Sequence, residues 1–426
     1  MSCQSTPVDD DDLLVGSTQV QYAWTQFTQD NQGSARAILA SPNASCPTIT
    51  LDNNPSATMT ARTIPSNYTG FVNAITVCEF SFTFPVSQIT IDNAGTPLSL
   101  PGINGQSDNI LVLGDTGCRL KGSSLQWCAG GSITRGMWGF PQISTSASSQ
   151  SQPDFILHVG DYNYRENVSA TGTACDPFDQ QRGWVHCGDN WPTWQDDFFA
   201  PSSLVNNQGN NLLTRAPWLF VRGNHEDCNR AGQGYYLFFY SGQAPSNCDS
   251  NNQTNISPYR VALTNLDIYV ADTSAEDSSY AQQSFSKINH NLTGSTKNVW
   301  LTTHLPMEDL GSAFANSGLA QQTVLKWIHV GHVHLFQHNS ATSMMQAETI
   351  SGGGGTKLDS CGSGLPICSG GIVTTPTDQG CCYGKVSSHD AGQYSYSTVK
   401  ANSNNNGWVA TLHDINGTAL YQFSVQ

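Results

Sequence analysis

The chain has 426 residues and a mass of 45.9 kDa, so it is longer than one typical domain of about 100 to 200 residues and predicts two domains. Its formal net charge of −15 argues against nucleic acid or an anionic membrane as a partner of the surface as a whole. No window of about 18 consecutive apolar residues occurs, so no membrane-spanning segment is predicted.

The first 16 residues contain no basic start followed by an apolar stretch, so no signal peptide is predicted within the sequence. One hypothesis is that Cys3 follows a removed lipoprotein-type signal and carries a lipid anchor. The alternative is that Cys3 is an unmodified thiol. Mass spectrometry of protein from its native host distinguishes the two.

Thirteen cysteines are many for a cytosolic enzyme, and none of them forms the paired CxxC spacing of a structural zinc site. Disulfides are the better interpretation, and they indicate an oxidising compartment. The protein is therefore expected to be secreted, periplasmic or on the cell surface. The neighbouring Cys381 and Cys382 are expected to pair with separate partners.

In chain order, residues 17–92 give short alternating apolar runs separated by Pro, Asn and Gly, which predict a small all-β module. Residues 93–108 are rich in Pro, Gly and Ser and are interpreted as a linker. We therefore divide the chain into a β-rich N-terminal module with its linker, residues 1–105, and a catalytic domain, residues 106–426.

After residue 108 the pattern changes to short, nearly continuous apolar runs: NILVLG, DFILHVG, PWLFVRG, NVWLTT and KWIHVG. Runs without alternation are typical of strands covered on both faces, and segments such as NWPTWQDDFFAPSSLV can supply helices between them. The sequence thus predicts an α/β domain. The later run SGGGG at 351–355 lacks the GK[ST] ending of a phosphate-binding loop and is interpreted as a flexible turn.

Potential ligands follow each of these five runs. In chain order they are Asp115, Asp161 with Tyr164, Asn224 with His225, His304, and His332 with His334. Because sites in layered α/β proteins form from the loops at the carboxyl ends of strands, we expect these side chains to converge. Each motif alone is weak, since an isolated GDTG is more often a turn and an isolated Asn a helix cap.

The set contains Asp, Asn, Tyr and His but no Cys, which suits iron, manganese or zinc. Seven donors exceed what one ion normally accepts, so two ions sharing a bridging carboxylate are expected. Two-metal sites of this kind characteristically hydrolyse phosphate esters. The predicted partner is a small phosphate ester.

The ordered motifs GDTG, GDYNY, GNHE, LTTH and GHVH resemble the five-block signature of the purple acid phosphatases, within the metallophosphoesterase superfamily. The resemblance covers residues 109–336 and implies a four-layer αββα sandwich. It implies Fe(III) on Asp115, Asp161, Tyr164 and His334, and a divalent Fe, Zn or Mn ion on Asp161, Asn224, His304 and His332. Asp161 would bridge the ions, and ionised Tyr164 would stabilise Fe(III) and colour the protein.

The expected mechanism is in-line attack of a metal-bound hydroxide on phosphorus, with Asp161 and His225 as catalytic residues. His225 is expected to donate a proton or hydrogen bond to the leaving oxygen. Asn224 and His225 are also candidate substrate-binding residues. Arg119 and Arg222 could contact phosphate and Glu226 could orient His225, although a structural role is as plausible for these three.

Three functions stay open at this point. The first is an acid-type phosphomonoesterase, the second a phosphodiesterase or nucleotidase on the same scaffold, and the third a surface-binding protein with structural metals. Plant purple acid phosphatases carry a further histidine pair soon after the fourth block, whereas this chain has MEDLGSAFANSG there. That difference leaves the substrate open.

Overall fold

The structure, a computed structural model, describes residues 19–120, 126–128, 137–165, 186–249, 254–342, 345–361, 368, 371–372, 381–385, 393–402 and 407–426. The hypothesis on Cys3 lies outside these residues. The helices are α1 (Phe140–Ser148), α2 (Trp191–Trp194), α3 (Ala200–Ser202), α4 (Gly232–Phe238), α5 (Ser278–Asn291) and α6 (Met307–Asn316). A π-helical turn, Gln195–Phe199, joins α2 to α3, and 3-10 turns lie at Asn224–Glu226 and Leu319–Gln321. The segment NWPTWQDDFFAPSSLV is therefore largely helical, as predicted.

The strands are, in chain order, β1 (Val20–Phe27), β2 (Gln32–Leu39), β3 (Thr48–Leu51), β4 (Ala57–Thr58), β5 (Thr60–Ala61), β6 (Thr76–Thr83), β7 (Val86–Asn93), β8 (Thr96–Ile103), β9 (Asn109–Leu113), β10 (Phe155–His158), β11 (Trp218–Phe220), β12 (Tyr259–Ala262), β13 (Leu266–Val270), β14 (Asn298–Thr302), β15 (Leu325–Val330), β16 (Phe336–Asn339), β17 (Ala347–Ser351), β18 (Gly371–Ile372), β19 (Cys381–Tyr383), β20 (Ser395–Ala401), β21 (Trp408–Asp414) and β22 (Ala419–Val425). The five predicted runs correspond to β9, β10, β11, β14 and β15.

Two large sheets carry the fold. One has the order β18-β22-β21-β20-β9-β10-β11-β1-β2-β6-β5, and the other has the order β12-β13-β14-β15-β17-β16-β19. At the centre of the first sheet, β9, β10 and β11 run parallel. At the centre of the second, β13, β14, β15 and β17 run parallel. The carboxyl ends of neighbouring strands therefore lie at one edge within each sheet.

Alternate residues of the central strands enter different hydrophobic cores. In β9, Ile110 and Val112 pack between the two sheets, whereas Leu111 and Leu113 pack against α1, α2 and α4. In β14, Trp300 faces the other sheet while Leu301 packs with α5 and α6. The strands are thus buried on both faces, which explains their continuous apolar sequences. The layers follow the order helix, sheet, sheet, helix, and the predicted αββα sandwich is confirmed.

The N-terminal region is all-β, as expected, and its strands join the first large sheet. Strand β1 lies parallel to β11, and β2, β6 and β5 continue outward from it. A separate sheet has the order β4-β3-β7-β8. Strand β8 lies within the segment interpreted as a linker. It contains Pro97 and Pro101, which an edge strand tolerates because its outer N–H groups need no partner. The division at residue 105 stays a prediction.

A buried ionic group connects the N-terminal strands to helix α4. Arg36 and Arg62 both pair with Glu79. Arg36 also donates to the backbone oxygens of Phe238 and Tyr240, at the carboxyl end of α4. Cations are favourable there because the last helical carbonyl groups lack partners within the helix. The N-terminal strands therefore fix the helix that follows the GNHE motif.

Disulfide bonds cross-link the described chain in five places: Cys46–Cys78, Cys118–Cys128, Cys228–Cys248, Cys361–Cys382 and Cys368–Cys381. The prediction that Cys381 and Cys382 pair separately is confirmed. Every cysteine in the described residues is disulfide-bonded, which indicates an oxidising compartment. Among the described helices, none has the length and apolar character needed to cross a membrane.

Candidate metal centre

The structure brings together all seven residues predicted as metal ligands. Three follow strands of the first sheet: Asp115 after β9, Asp161 after β10, and Asn224 in the 3-10 turn after β11. His304 follows β14, and His332 and His334 follow β15 of the second sheet. Tyr164 lies in the loop after β10. The site therefore forms where the carboxyl ends of both sheets meet, at the edge where α/β proteins build sites.

Four of these residues form a first donor group around the Tyr164 hydroxyl. This oxygen lies 2.9 Å from Asp115 Oδ1, 2.6 Å from Asp161 Oδ2 and 2.9 Å from His334 Nε2. A phenol has one proton, so it cannot donate to both carboxylates at once. Asp115, Asp161 and His334 also offer ligand atoms within 4.8 Å of one another. The acceptor atoms in this group outnumber the protons available to them, and a bound cation would satisfy the lone pairs that remain.

A second donor group forms around Asn224. Its Oδ1 lies 3.0 Å from His304 Nε2 and 3.2 Å from His332 Nδ1. His304 Nε2 lies 3.3 Å from Asp161 Oδ1. The two oxygens of the Asp161 carboxylate therefore face different groups, one facing Tyr164 and the other facing His304. Asp161 is the residue that the two donor groups share.

Two further contacts orient these ligands. His304 Nδ1 lies 2.8 Å from the backbone oxygen of Val159, to which it can donate, so Nε2 is the ring nitrogen that faces the site. The Asn224 amide donates to Glu276 Oε1 over 2.6 Å, which turns the amide oxygen toward His304 and His332. Sequence reasoning missed Glu276, because no motif links it to the GNHE segment.

The backbone at the site is unusual. Asp115, Asp161, His332 and Glu276 have positive φ angles of 55°, 61°, 72° and 54°. Residues other than glycine rarely adopt this left-handed region, although aspartate and asparagine do so more readily than the others. Four of the eight described non-glycine residues with positive φ therefore lie at the site: three proposed ligands, and Glu276, which orients Asn224.

Comparisons with known proteins identify the family. The calcineurin-like phosphoesterase family matches residues 109–336, which is more than half of the chain and contains all five motifs. The chain belongs to the calcineurin-like phosphoesterases. The protein is therefore a metal-dependent phosphoesterase by family, and this family uses a binuclear metal centre.

One solved structure is similar to this chain in fold, and a second gives a weaker match. PhoD is similar with a TM-score of 0.54 and 10% identity, over 96% of this chain and 92% of PhoD. GAP50, the anchor in the inner membrane complex of Plasmodium, gives a TM-score of 0.41 and 14% identity, over 75% of this chain and 88% of its own. No curated protein matches the sequence. At 10% identity, the likeness to PhoD describes the fold alone.

Buried charges at the site of this calcineurin-like phosphoesterase stabilise one another. Burial alone would raise the pKa of Asp161, but the nearby His304 and His225 hold it well below its usual range. Burial would lower the pKa of His304, whereas the charge and hydrogen bond of Asp161 raise it to about 10.

Burial and the charge of Asp115 raise the pKa of Tyr164 well above its usual range. Ionisation of this phenol at neutral pH therefore requires a cation beside it.

Glu226 positions the loop that carries Asp161 and Tyr164. Its buried carboxylate accepts hydrogen bonds from the backbone N–H groups of Asp161, Tyr162, Asn163 and Gly223, at 2.8 to 3.1 Å. The sequence left open whether Glu226 orients His225 or has a structural role, and these contacts give it a structural role. Its contacts link the GDYNY and GNHE motifs, so that the ligands from β10 and β11 are held in one arrangement.

The two arginines considered for phosphate contact lie in different surroundings. Arg119 Nη1 lies 2.9 Å from His334 Nδ1, at the first donor group. Arg222 is buried, pairs with Asp272 at 3.0 Å and donates to the backbone oxygen of Glu226. Its described contacts supply a structural role, and the structure does not bring it into either donor group.

The SGGGG segment differs from the flexible turn expected. Gly352 to Gly355 are buried, and Gly354 donates to the backbone oxygen of Gly114. The next residue, Thr356, donates to the backbone oxygen of Asp115. The segment packs against the strand end that carries Asp115, where a side chain would collide: a Cβ on Gly354 would lie 2.2 Å from the backbone oxygen of Gly114.

Substituting Gly223 with alanine tests how closely the GNHE motif packs on Asp161. A Cβ at this position would lie 2.1 Å from Asp161 Oδ1 and 2.3 Å from Asp161 N, so both the carboxylate and the backbone of Asp161 must move. A displacement of about 1 Å can lower activity by about 10²-fold, and we expect a loss of kcat/KM of that size together with a loss of bound metal. Atomic absorption and turnover of p-nitrophenyl phosphate measure both effects.

Gly311→Ala is the matched control. Gly311 lies in α6, and apart from its chain neighbours and the backbone of the helix itself, no described atom lies within 4 Å of a Cβ built there. Alanine in a helix is favoured over glycine by up to about 1 kcal/mol, so this variant should keep full activity and melt at the same or a higher temperature. Full activity of Gly223→Ala would contradict the packing described.

Proposed function

We propose that this calcineurin-like phosphoesterase hydrolyses phosphoric monoesters with a binuclear centre of the purple acid phosphatase type. The observation that carries the proposal is the Tyr164 hydroxyl, which lies within 2.9 Å of Asp115, Asp161 and His334. The tyrosine of GDYNY is the feature that distinguishes the purple acid phosphatase signature from those of most other metallophosphoesterases.

The chemistry of the donors supports two different ions. The first group would hold Fe(III), because carboxylate and phenolate oxygens are hard anionic ligands. The second group combines the Asn224 amide with His304 and His332, and would hold a divalent ion such as Fe, Zn or Mn. Asp161 would contact both ions. When bound, such cations supply Lewis acidity that polarises a phosphate ester and lowers the pKa of water.

The residues around the ions would orient the substrate and manage the leaving group. His225 stacks on Tyr164 with ring centroids 4.0 Å apart, and its backbone N–H donates to Asp161 Oδ1 over 2.9 Å. We assign to its imidazole the donation of a proton or hydrogen bond to the leaving oxygen. Asn224, one residue earlier, would help to hold the phosphate.

A phosphodiesterase or nucleotidase on the same scaffold is the second candidate. It is favoured by the segment MEDLGSAFANSG, which contains α6 and carries Glu308 and Asp309, whereas the plant enzymes carry a histidine pair soon after the fourth motif. A different set of charges after the fourth motif would change which leaving groups the site accepts. The third candidate, a surface-binding protein, does not explain why His225 accompanies a complete set of ligands.

Turnover of p-nitrophenyl phosphate and of bis(p-nitrophenyl) phosphate tests the proposed function. The monoester should be hydrolysed faster, and activity should disappear after chelation and return when metal is added back. Faster turnover of the diester would favour the second candidate. No turnover of either ester by fully metal-loaded protein would favour the third.

The proposed location is outside the cytosol: secreted, periplasmic or on the cell surface. The five described disulfides support it, since such bonds persist in oxidising compartments. Fractionation of the native host with antibody detection tests this proposal, and recovery of the protein in the cytosolic fraction would contradict it.

A further inference from the structure

One ring nitrogen of His334 lies between a hydrogen-bond donor and a hydrogen-bond acceptor. Arg119 Nη1 lies 2.9 Å from His334 Nδ1, and Asp359 Oδ2 lies 3.4 Å from the same nitrogen. Arginine can only donate a hydrogen bond, whereas an ionised carboxylate can only accept one. His334 Nδ1 can therefore satisfy one of these neighbours at a time.

Each choice fixes the other ring nitrogen, Nε2, which faces Tyr164 at 2.9 Å. If Arg119 donates to Nδ1, the imidazole proton sits on Nε2 and blocks that atom as a ligand. If Nδ1 carries the proton and donates to Asp359, then Nε2 presents a lone pair to the first donor group. The two arrangements are tautomers of the same neutral ring.

We infer that Asp359 is a positioning residue that holds His334 in the tautomer with its proton on Nδ1, which leaves Nε2 free to bind metal. Arg119 competes with Asp359 for Nδ1. When metal binds, Arg119 is released from His334 and turns toward the substrate phosphate. The inference rests on the proposed function for the role of the released arginine. The inference gives a role to Asp359, which none of the motifs contains. It also links metal binding to substrate recognition through Arg119.

The backbone around Asp359 is well placed to hold the carboxylate. Asp359 N–H donates to the backbone oxygen of His334 over 2.9 Å, and His334 N–H donates to Asp359 Oδ2 over 3.1 Å. On its other side, the backbone oxygen of Asp359 accepts from Lys385 over 2.9 Å. The disulfide Cys361–Cys382 cross-links the two segments close by. A half-exposed carboxylate is thus fixed beside a buried imidazole.

Arg119 is anchored through its backbone, which leaves its side chain able to change partners. Its N–H donates to Gln126 Oε1 over 2.8 Å, and its carbonyl accepts from Gln126 N–H over 3.0 Å. The preceding residue, Cys118, is bonded to Cys128. Release from His334 therefore requires only a side-chain rotation, with no movement of the loop.

Zn²⁺ binding to chelator-treated protein tests the inference without relying on activity. Asp359→Ala should weaken Zn²⁺ binding at the first donor group by about 10- to 100-fold, the usual effect of removing a partner of a metal-bound histidine. Asp359→Asn keeps an acceptor oxygen and should lose less. Arg119→Met removes the competitor, so its affinity should equal or exceed that of the unmodified protein. Isothermal titration calorimetry measures these affinities, and the second donor group serves as an internal reference because it lacks His334.

The double variant Asp359→Ala/Arg119→Met gives the sharpest comparison. Removing the competitor should recover part of the affinity lost in Asp359→Ala, while KM for p-nitrophenyl phosphate stays raised because the arginine is absent. Unchanged Zn²⁺ affinity in Asp359→Ala would overturn the inference. Weakening in Arg119→Met as large as that in Asp359→Ala would also overturn it.

The tautomer itself can be observed. Histidine ¹⁵N spectra of the chelator-treated protein, with the His334 signals identified by their loss in His334→Gln, should show the proton on Nε2. In Arg119→Met the proton should move to Nδ1, and failure to move would contradict the proposed competition. If both the spectra and the Zn²⁺ affinities behave as expected but no phosphate ester is hydrolysed, then the proposed function fails while the role of Asp359 stands.

Discussion

Replacing His225 with alanine is expected to lower kcat by about 10²- to 10⁴-fold, the usual contribution of a general acid, while the metal content is retained. His225 contributes its backbone N–H to Asp161 and its ring to Tyr164, and its side chain belongs to neither donor group. Removing the imidazole should therefore remove proton donation without removing a ligand. Steady-state kinetics combined with metal analysis measures both quantities.

His225→Phe separates chemistry from packing in this experiment. The phenyl ring keeps the contact with Tyr164, where the two rings lie 4.0 Å apart, but it has no nitrogen to donate a proton. If the imidazole acts as a proton donor, His225→Phe should lose about as much kcat as His225→Ala. Activity close to that of the unmodified protein in His225→Phe would show that the ring serves only as packing.

Asp161→Asn is expected to abolish both metal binding and turnover. The substitution removes the charge of the one carboxylate that faces both donor groups, with Oδ2 2.6 Å from Tyr164 Oη and Oδ1 3.3 Å from His304 Nε2. Lewis-acid stabilisation is worth several kcal/mol, so at about 1.36 kcal/mol per decade we expect a loss of at least about 10³-fold in kcat/KM. Metal analysis should show that both ions are depleted.

Asparagine is the right replacement because Asp161 has a φ of 61°, a left-handed conformation that asparagine adopts at little cost. Any loss then reflects the missing charge and not backbone strain. The matched control is Asp52→Asn, at an exposed turn residue with a φ of 50°. It should keep full activity. Retention of two ions by Asp161→Asn would contradict the bridging role.

Much of the fold could be predicted because the pattern of apolar residues in a segment matches the burial of that segment in the structure. The continuous apolar sequence of β9 predicted a strand buried on both faces, and Leu111 and Val112 do pack into different cores. The convergence of the ligands followed from the same pattern, since polar residues after parallel strands must meet at one edge. His304 and His334 are brought to one site although they lie 30 positions apart in the chain.

The parts that could not be predicted depend on contacts between distant segments. Glu276 orients Asn224, and Asp359 contacts His334, yet both are single acidic residues in loops with no motif around them. The pairing of β1 with β11 joins residues almost 200 positions apart, and an alternating strand pattern does not specify its neighbour. The left-handed backbone at Asp115 and Asp161 is likewise imposed by the surrounding structure.

The most direct test of a binuclear centre with an ionised tyrosine is metal analysis of the protein as purified, together with its visible spectrum and that of Tyr164→Phe. We predict two metal ions per chain, one of them iron, and a visible charge-transfer band that disappears in Tyr164→Phe. A colourless protein that turns over phosphate esters without bound metal, or a band unchanged in Tyr164→Phe, would contradict the account.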